Sequence, residues 1–183
     1  MVSGSGEDER VYFHPEEYFR PRVEKLWAEQ AAFLRKLLPG ADVQHVGSTA
    51  VPGSLTKGDL DIQVRVTEGD FDNAVAALAE HFARNTLSTP QEGFTAFANS
   101  QADPPLGIQL TTIDGDLDIF WRFREVLFAR RDLQWAFEKL KRSYEGRPMS
   151  EYRAAKSAFF HSLRQTPEFR KLWHKDRKTL PDL

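Results

Sequence analysis

Two carboxylates, Asp59 and Asp61, open a run in which polar and apolar residues alternate strictly. Leu60, Ile62, Val64 and Val66 fall on one side, and Asp59, Asp61, Gln63 and Arg65 on the other. That is the period of a strand with one buried face. Side chains at i and i+2 share a face, so the two acids stand side by side. Adjacent anions repel, and a divalent cation between or beside them relieves the repulsion. Ahead of them lies Gly47-Ser48-Thr49, small residues whose backbone can approach a phosphate and offer N–H donors. A phosphate site followed after ten residues by a carboxylate pair is a layout for metal-assisted phosphoryl or nucleotidyl transfer. Alone, an Asp-x-Asp is usually a solvated strand face and a Gly-Ser only a turn. Their combination is the more specific signal.

The elements that must position these residues can be read around them. Pro21 suits the first turn of a helix whose stripe is Val23, Leu26, Trp27, Leu34, Leu37 and Leu38, and Pro39-Gly40 ends it. A short strand, 43–46, leads into Gly47-Ser48, and Pro52-Gly53 turns the chain before the strand over 59–66. Gly69-Asp70 can cap a helix with Phe71, Val75, Leu78, Ala79 and Phe82 inward. Residues 86–93 read as a polar loop, and 94–98 and 108–113 as strands separated by Pro104-Pro105. From Asp116 the pattern is helical, broken at Gly146-Arg147-Pro148, with Asp132, Ser150 and Thr166-Pro167-Glu168 as start signals and Trp173 on the last apolar face. The fold class is therefore α/β (α+β): a mixed β-sheet flanked by helices with a C-terminal helical segment.

Composition bounds the remaining choices. The chain of 183 residues suits one domain, with 1–10 as a flexible tail, a core over about 20–115 and C-terminal helices over about 116–175. Fourteen Phe and four Trp supply a core, and the net charge of −2 gives no global basic field for nucleic acid, which is the weaker partner. With no cysteine, disulfides, thiolate metal sites and Cys nucleophiles are excluded. No apolar run reaches membrane-spanning length and no signal-peptide core opens the chain, so a cytoplasmic protein is expected, with no membrane partner. A Walker P-loop fails because Lys57 is followed by Gly58 rather than Ser or Thr, and no Gly-x-Ser-x-Gly elbow occurs. His14, His81, His161 and His174 show no ligand spacing. Arg130-Arg131 and the cluster over 171–178 read as solvated helix faces.

Val46-Gly47-Ser48, ten intervening residues and Asp59-Leu60-Asp61-Ile62 resemble the signature of the nucleotidyltransferase superfamily. Within it the chain resembles the GrpB family more closely, through His45 to Gly53, Lys57, Asp61-Ile62, Phe123-Arg124-Glu125-x-Leu127, and Tyr152 with Lys156. The resemblance covers about residues 10–165 and implies a nucleotidyltransferase-like core with C-terminal helices. It also implies roles: Asp59 and Asp61 binding Mg²⁺, and Gly47, Ser48 and Thr49 at the triphosphate of an NTP. Lys57, Arg65, Arg124 and Lys156 become candidate phosphate partners and Tyr152 a candidate base-stacking ring. Each of these cations is otherwise an ordinary surface charge, and Tyr152 ordinary half-buried packing.

Two departures matter. Relatives often carry Lys-Pro before a single Asp, whereas this chain keeps both acids, which favours catalysis. The later strand offers Gln109 and Thr111 where the superfamily often places a third acid, and the nearest acids, Asp114, Asp116 and Asp118, lie beyond it. Two functions therefore stand: a Mg²⁺-dependent nucleotidyltransferase with an unknown acceptor, or a catalytically inactive nucleotide- or protein-binding module.

Overall fold

The computed structural model describes residues 9–176. Strand β1 (His14–Pro15) is followed by helix α1 (Arg20–Leu37), strand β2 (Asp42–Val46), strand β3 (Leu55–Thr56) and strand β4 (Leu60–Val66). Helix α2 (Phe71–Ala79), strand β5 (Ala83–Arg84), strand β6 (Phe94–Asn99) and strand β7 (Leu106–Thr112) complete the first part. Helices α3 (Phe120–Ala129), α4 (Arg131–Ser143), α5 (Met149–Leu163) and α6 (Pro167–Asp176) follow. The main sheet has the order β2-β4-β7-β6-β5; β4 and β7 run parallel and the other neighbours antiparallel. This is the mixed sheet expected. The pair β1–β3 forms a small second ladder that the sequence pattern did not announce.

One face of the sheet is a hydrocarbon core. Leu60, Ile62, Val64 and Val66 pack there with Ile108 and Leu110 of β7, against Val23, Ala31 and Leu34 of α1 and Ala74 and Leu78 of α2. Each Val, Leu or Ile side chain there, removed from water, contributes about 1.5–3 kcal/mol. The opposite face of β4 departs from the expected solvated row. Gln63 is 0 % and Arg65 8 % exposed, because α3 and the segment before it cover them. A second core of Phe123, Val126, Leu127, Phe137, Leu163 and Phe169 ties α3–α6 together and includes Val51 from the loop between β2 and β3.

The expected helix starts are met only in part: Asp70 makes no side-chain cap bond at α2, and α4 and α5 begin one residue ahead of Asp132 and Ser150. Pro148 precedes α5, and the Thr166 hydroxyl accepts the Phe169 N–H at the start of α6. The side chain of Trp173 and residues 1–8 of the expected tail lie outside the described residues. Glu9 and Arg10, placed in that tail by composition, are instead paired: Glu9 O accepts from Met149 N, and Arg10 bridges to Pro148. Among the described residues no helix is long and apolar enough to cross a membrane.

Candidate functional site

The site is built around Asp61. Its strand lies between β2 and β7, and a glycine from each side admits its carboxylate. Gly47, just past β2, has φ +77°, and a Cβ there would stand 2.4 Å from Asp61 Oδ2. Gly107, beside Asp61 on β7, would bring a Cβ within 3.0 Å of Oδ1. Any larger residue at Gly47 meets both a forbidden backbone region and the carboxylate. Gln109 Nε2 donates to Asp61 Oδ1 at 3.3 Å, while its Oε1 is buried with no hydrogen-bond partner. Burial pushes the Asp61 carboxyl above the ordinary aspartate value; Lys156 and Gln109 pull it down and Asp59 pushes it further up.

Asp59 lies one residue ahead of β4, half-exposed, with Lys57 Nζ 2.8 Å from its Oδ2. Its carbonyl accepts from the Thr49 hydroxyl at 3.0 Å. Because that hydroxyl spends its proton on Asp59, it accepts from His45 Nε2 at 3.1 Å, which places a ring proton on Nε2. Burial, and then the Arg124 cation, lower His45 to about 4. Its ring stacks on Trp27 with centroids 5.3 Å apart.

Gly47-Ser48 and the loop to Thr56 are held from α4. Gln134, Glu138 and Lys141 lie at i, i+4 and i+7, one stripe of that helix. Gln134 Nε2 donates to Pro52 O at 2.9 Å, and Glu138 Oε2 accepts from Leu55 N at 2.6 Å. Lys141, fully buried, donates to Ser48 Oγ at 3.0 Å, Leu55 O at 2.6 Å and Glu138 Oε1 at 2.9 Å. From the other side, Gly53 N donates to the buried carboxylate of Glu16 at 3.3 Å. None of these loop holders was singled out from the sequence. Only the i, i+4, i+7 spacing of 134, 138 and 141 could have signalled them, on a helix that carries many other polar residues.

A cavity of about 450 Å³ opens between the loop, the acids and α3–α5. Gly47, Ser48, Lys57, Asp59, Asp61, Arg124, Tyr152 and Lys156 all line it. Thr49 sits behind, bonded to His45 and Asp59. Arg124 spans the rim, donating to His45 O at 2.6 Å and Gln44 Oε1 at 3.1 Å while pairing with Glu125. Lys156 is an exposed residue, yet the protein packed around it desolvates the ammonium enough to lower its pKa, against the pull of Asp61. Tyr152 is 4 % exposed and packs edge-on against Phe13 at 4.9 Å, so it forms wall. Phe13, Phe123, Phe137 and Phe160 make the rest of that wall apolar.

Arg65 is not brought to this cavity. Its guanidinium is bound by Asp118 through Nε and Nη2, both at 2.7 Å, and by Asp42 through Nη1 at 2.7 Å. Asp118, one of the acids beyond β7, is 0 % exposed in that pairing and with Arg122, so it is not a third acid at the site. Among the described residues no three His, Cys, Asp or Glu side chains are grouped to hold a metal. Asp59 and Asp61 alone still suit Mg²⁺, which takes one or two carboxylates and fills its octahedron with phosphate oxygens and water.

The mixed sheet with its flanking and C-terminal helices resembles a nucleotidyltransferase domain in fold. Its fold resembles that of the Cid1 poly(U) polymerase solved with MgGTP, at TM-score 0.50 and 11 % identity, over 70 % of this chain and 42 % of the polymerase. Residues 17–166 match the GrpB protein family profile, and the chain belongs to that family. The crystal structure of GrpB from Enterococcus faecalis is similar at TM-score 0.65 and 21 % identity, covering 84 % of this chain and 96 % of that one. A UPF0157 protein of Vibrio cholerae is 29 % identical over 158 residues, 85 % of this chain and 82 % of the relative. Another, from Halalkalibacterium halodurans, is 25 % identical over 151 residues, 79 % and 77 % respectively.

Proposed function

We propose that the cavity binds a nucleoside triphosphate with Mg²⁺ and that the protein transfers its nucleotidyl group to an acceptor. The observation that carries this reading is Asp61, desolvated and seated between Gly47 and Gly107 at the mouth of the Gly-Ser turn. A carboxylate in such a place is costly unless a cation or ligand repays it. Asp59 and Asp61 hold the metal, which when bound supplies positive charge to the phosphate oxygens. The Ser48 and Thr49 N–H groups at the start of the turn donate to the phosphates, as does the Ser48 hydroxyl, while the Ala50 N–H is spent on Gly47 O. Lys57, Lys156 and Arg124 offset charge at the rim. The acceptor attacks the α-phosphorus, the bond to the α–β bridging oxygen breaks, and pyrophosphate leaves with that electron pair. The apolar wall of Phe123, Phe137 and Phe160 takes the base or an apolar part of the acceptor.

The test is calorimetry with each NTP, with and without Mg²⁺, on wild type and on the double variant Asp59→Asn/Asp61→Asn. Binding that needs Mg²⁺ and is lost in the variant supports the reading; a folded wild type that binds no NTP sinks it. Gln109 favours a second reading, a module that binds without transferring. A neutral amide stands beside Asp61 where a third acid would complete the set. If that reading is right, wild type binds Mg-NTP yet releases no pyrophosphate with any acceptor, and Gln109→Glu tightens Mn²⁺ binding about tenfold.

A further inference from the structure

Lys141 is the largest investment near the cavity that the proposed chemistry does not use. It contributes a cation at 0 % exposure without lining the cavity. Its ammonium has three protons and the structure accounts for all three: Ser48 Oγ at 3.0 Å, Leu55 O at 2.6 Å and Glu138 Oε1 at 2.9 Å. A lysine has no acceptor, so Ser48 can only be the acceptor in their bond. No acceptor among the described residues takes Ser48's own proton, and Ser48 lines the cavity.

Resting on the nucleotide reading above, we propose that Lys141 is the positioning residue of the phosphate loop. It occupies the inner side of Ser48 Oγ, turns the hydroxyl proton toward the cavity, and thereby makes Ser48 a donor to phosphoryl oxygens rather than an acceptor. Without Lys141 the hydroxyl is free to turn inward, and its oxygen lone pairs then face the phosphate. Glu138 neutralises the ammonium and fixes Leu55 N, so the device keeps its register when the cavity fills. Lys141 touches no ligand; its bond to Leu55 O holds the loop, and its effect on the ligand passes through Ser48.

That last property gives a test a merely structural lysine fails. Affinity for Mg-ATP and for Mg-tripolyphosphate is measured by calorimetry on wild type, Ser48→Ala, Lys141→Met and the double variant, with thermal unfolding alongside. Each single variant is expected to lose about tenfold in affinity for both probes, and the double variant no more than either alone. Multiplicative losses near a hundredfold, or wild-type affinity in folded Lys141→Met, overturn the role of Lys141 while leaving the nucleotide site standing. If Lys141→Met does not fold, Lys141→Leu, which also removes the donor, takes its place in the same cycle with the same expected and overturning outcomes. Absence of binding of both probes to folded wild type removes the nucleotide reading, and this inference with it.

Discussion

Two polar clusters share one face of β4, and they are satisfied very differently. Around Asp118, Oδ1 accepts from Arg65 Nε, Gln63 Nε2 and Trp121 Nε1 at 2.7, 2.9 and 3.2 Å, and Oδ2 from Arg65 Nη2 and Asp114 N at 2.7 and 3.0 Å. Arg122 adds a further ion pair at 3.3 Å. Four residues back along the strand, Asp61 accepts a single long bond from Gln109 and is pushed toward its neutral form by burial. The first cluster is closed: every oxygen is matched, and it cements α3 to the sheet. The second is open: an anion, two lysines and an orphaned amide oxygen surround a cavity. The contrast between one carboxylate so fully satisfied and another so poorly matched supports the proposed ligand site at the second.

The largest effect should come from breaking the closed cluster. Asp118→Ala leaves Arg65 and Arg122 without their shared anion and should cost about 3–5 kcal/mol in urea unfolding. A cost under about 1 kcal/mol would erase the distinction between the clusters. Next comes Gly47→Ala, which combines the positive φ with the 2.4 Å approach to Asp61. It should destabilise by about 2–3 kcal/mol and abolish Mg-nucleotide binding together. Binding that survives with normal stability would mean the loop and the acid are not coupled.

The open side also predicts an acid sensitivity. His45 is held neutral in the fold, with its pKa lowered to about 4 from 6.5. Unfolding therefore takes up a proton as pH falls through 6.5, and stability drops until about pH 4, by about 3 kcal/mol at most. His45→Gln should flatten that part of the stability–pH curve, measured by urea unfolding at pH 7, 5 and 4. The smallest stability effect belongs to Asp61→Asn. Removing a carboxylate whose folded pKa is raised relieves a cost at neutral pH, so stability should stay within about 1 kcal/mol of wild type or rise. The same variant should lose Mg-dependent nucleotide affinity by more than about a hundredfold, the signature of a residue kept for a ligand rather than for the fold.

The element order was legible because it rests on local patterns. The 3.6-residue stripe of α1 and the twofold alternation of β4 were read within a residue or two of their observed bounds. The Gly47-Ser48 turn and the Asp59/Asp61 pair were legible for the same reason. Arg65 was misjudged because alternation tells which residues share a face and not what covers that face. Asp118 fills the space above Arg65 from 53 residues away.

By itself, then, the sequence determined the strand, the glycine turn and the two acids, since spacing, backbone freedom and charge are properties of neighbours in the chain. Tertiary structure alone decided which acid is closed off and which is left open. It also decided that α4 holds the loop between β2 and β3, through Gln134, Glu138 and Lys141 reaching residues 82 to 93 positions earlier. Hydrogen bonds and burial across such distances depend on which faces the packed core brings together, and no local pattern encodes that meeting.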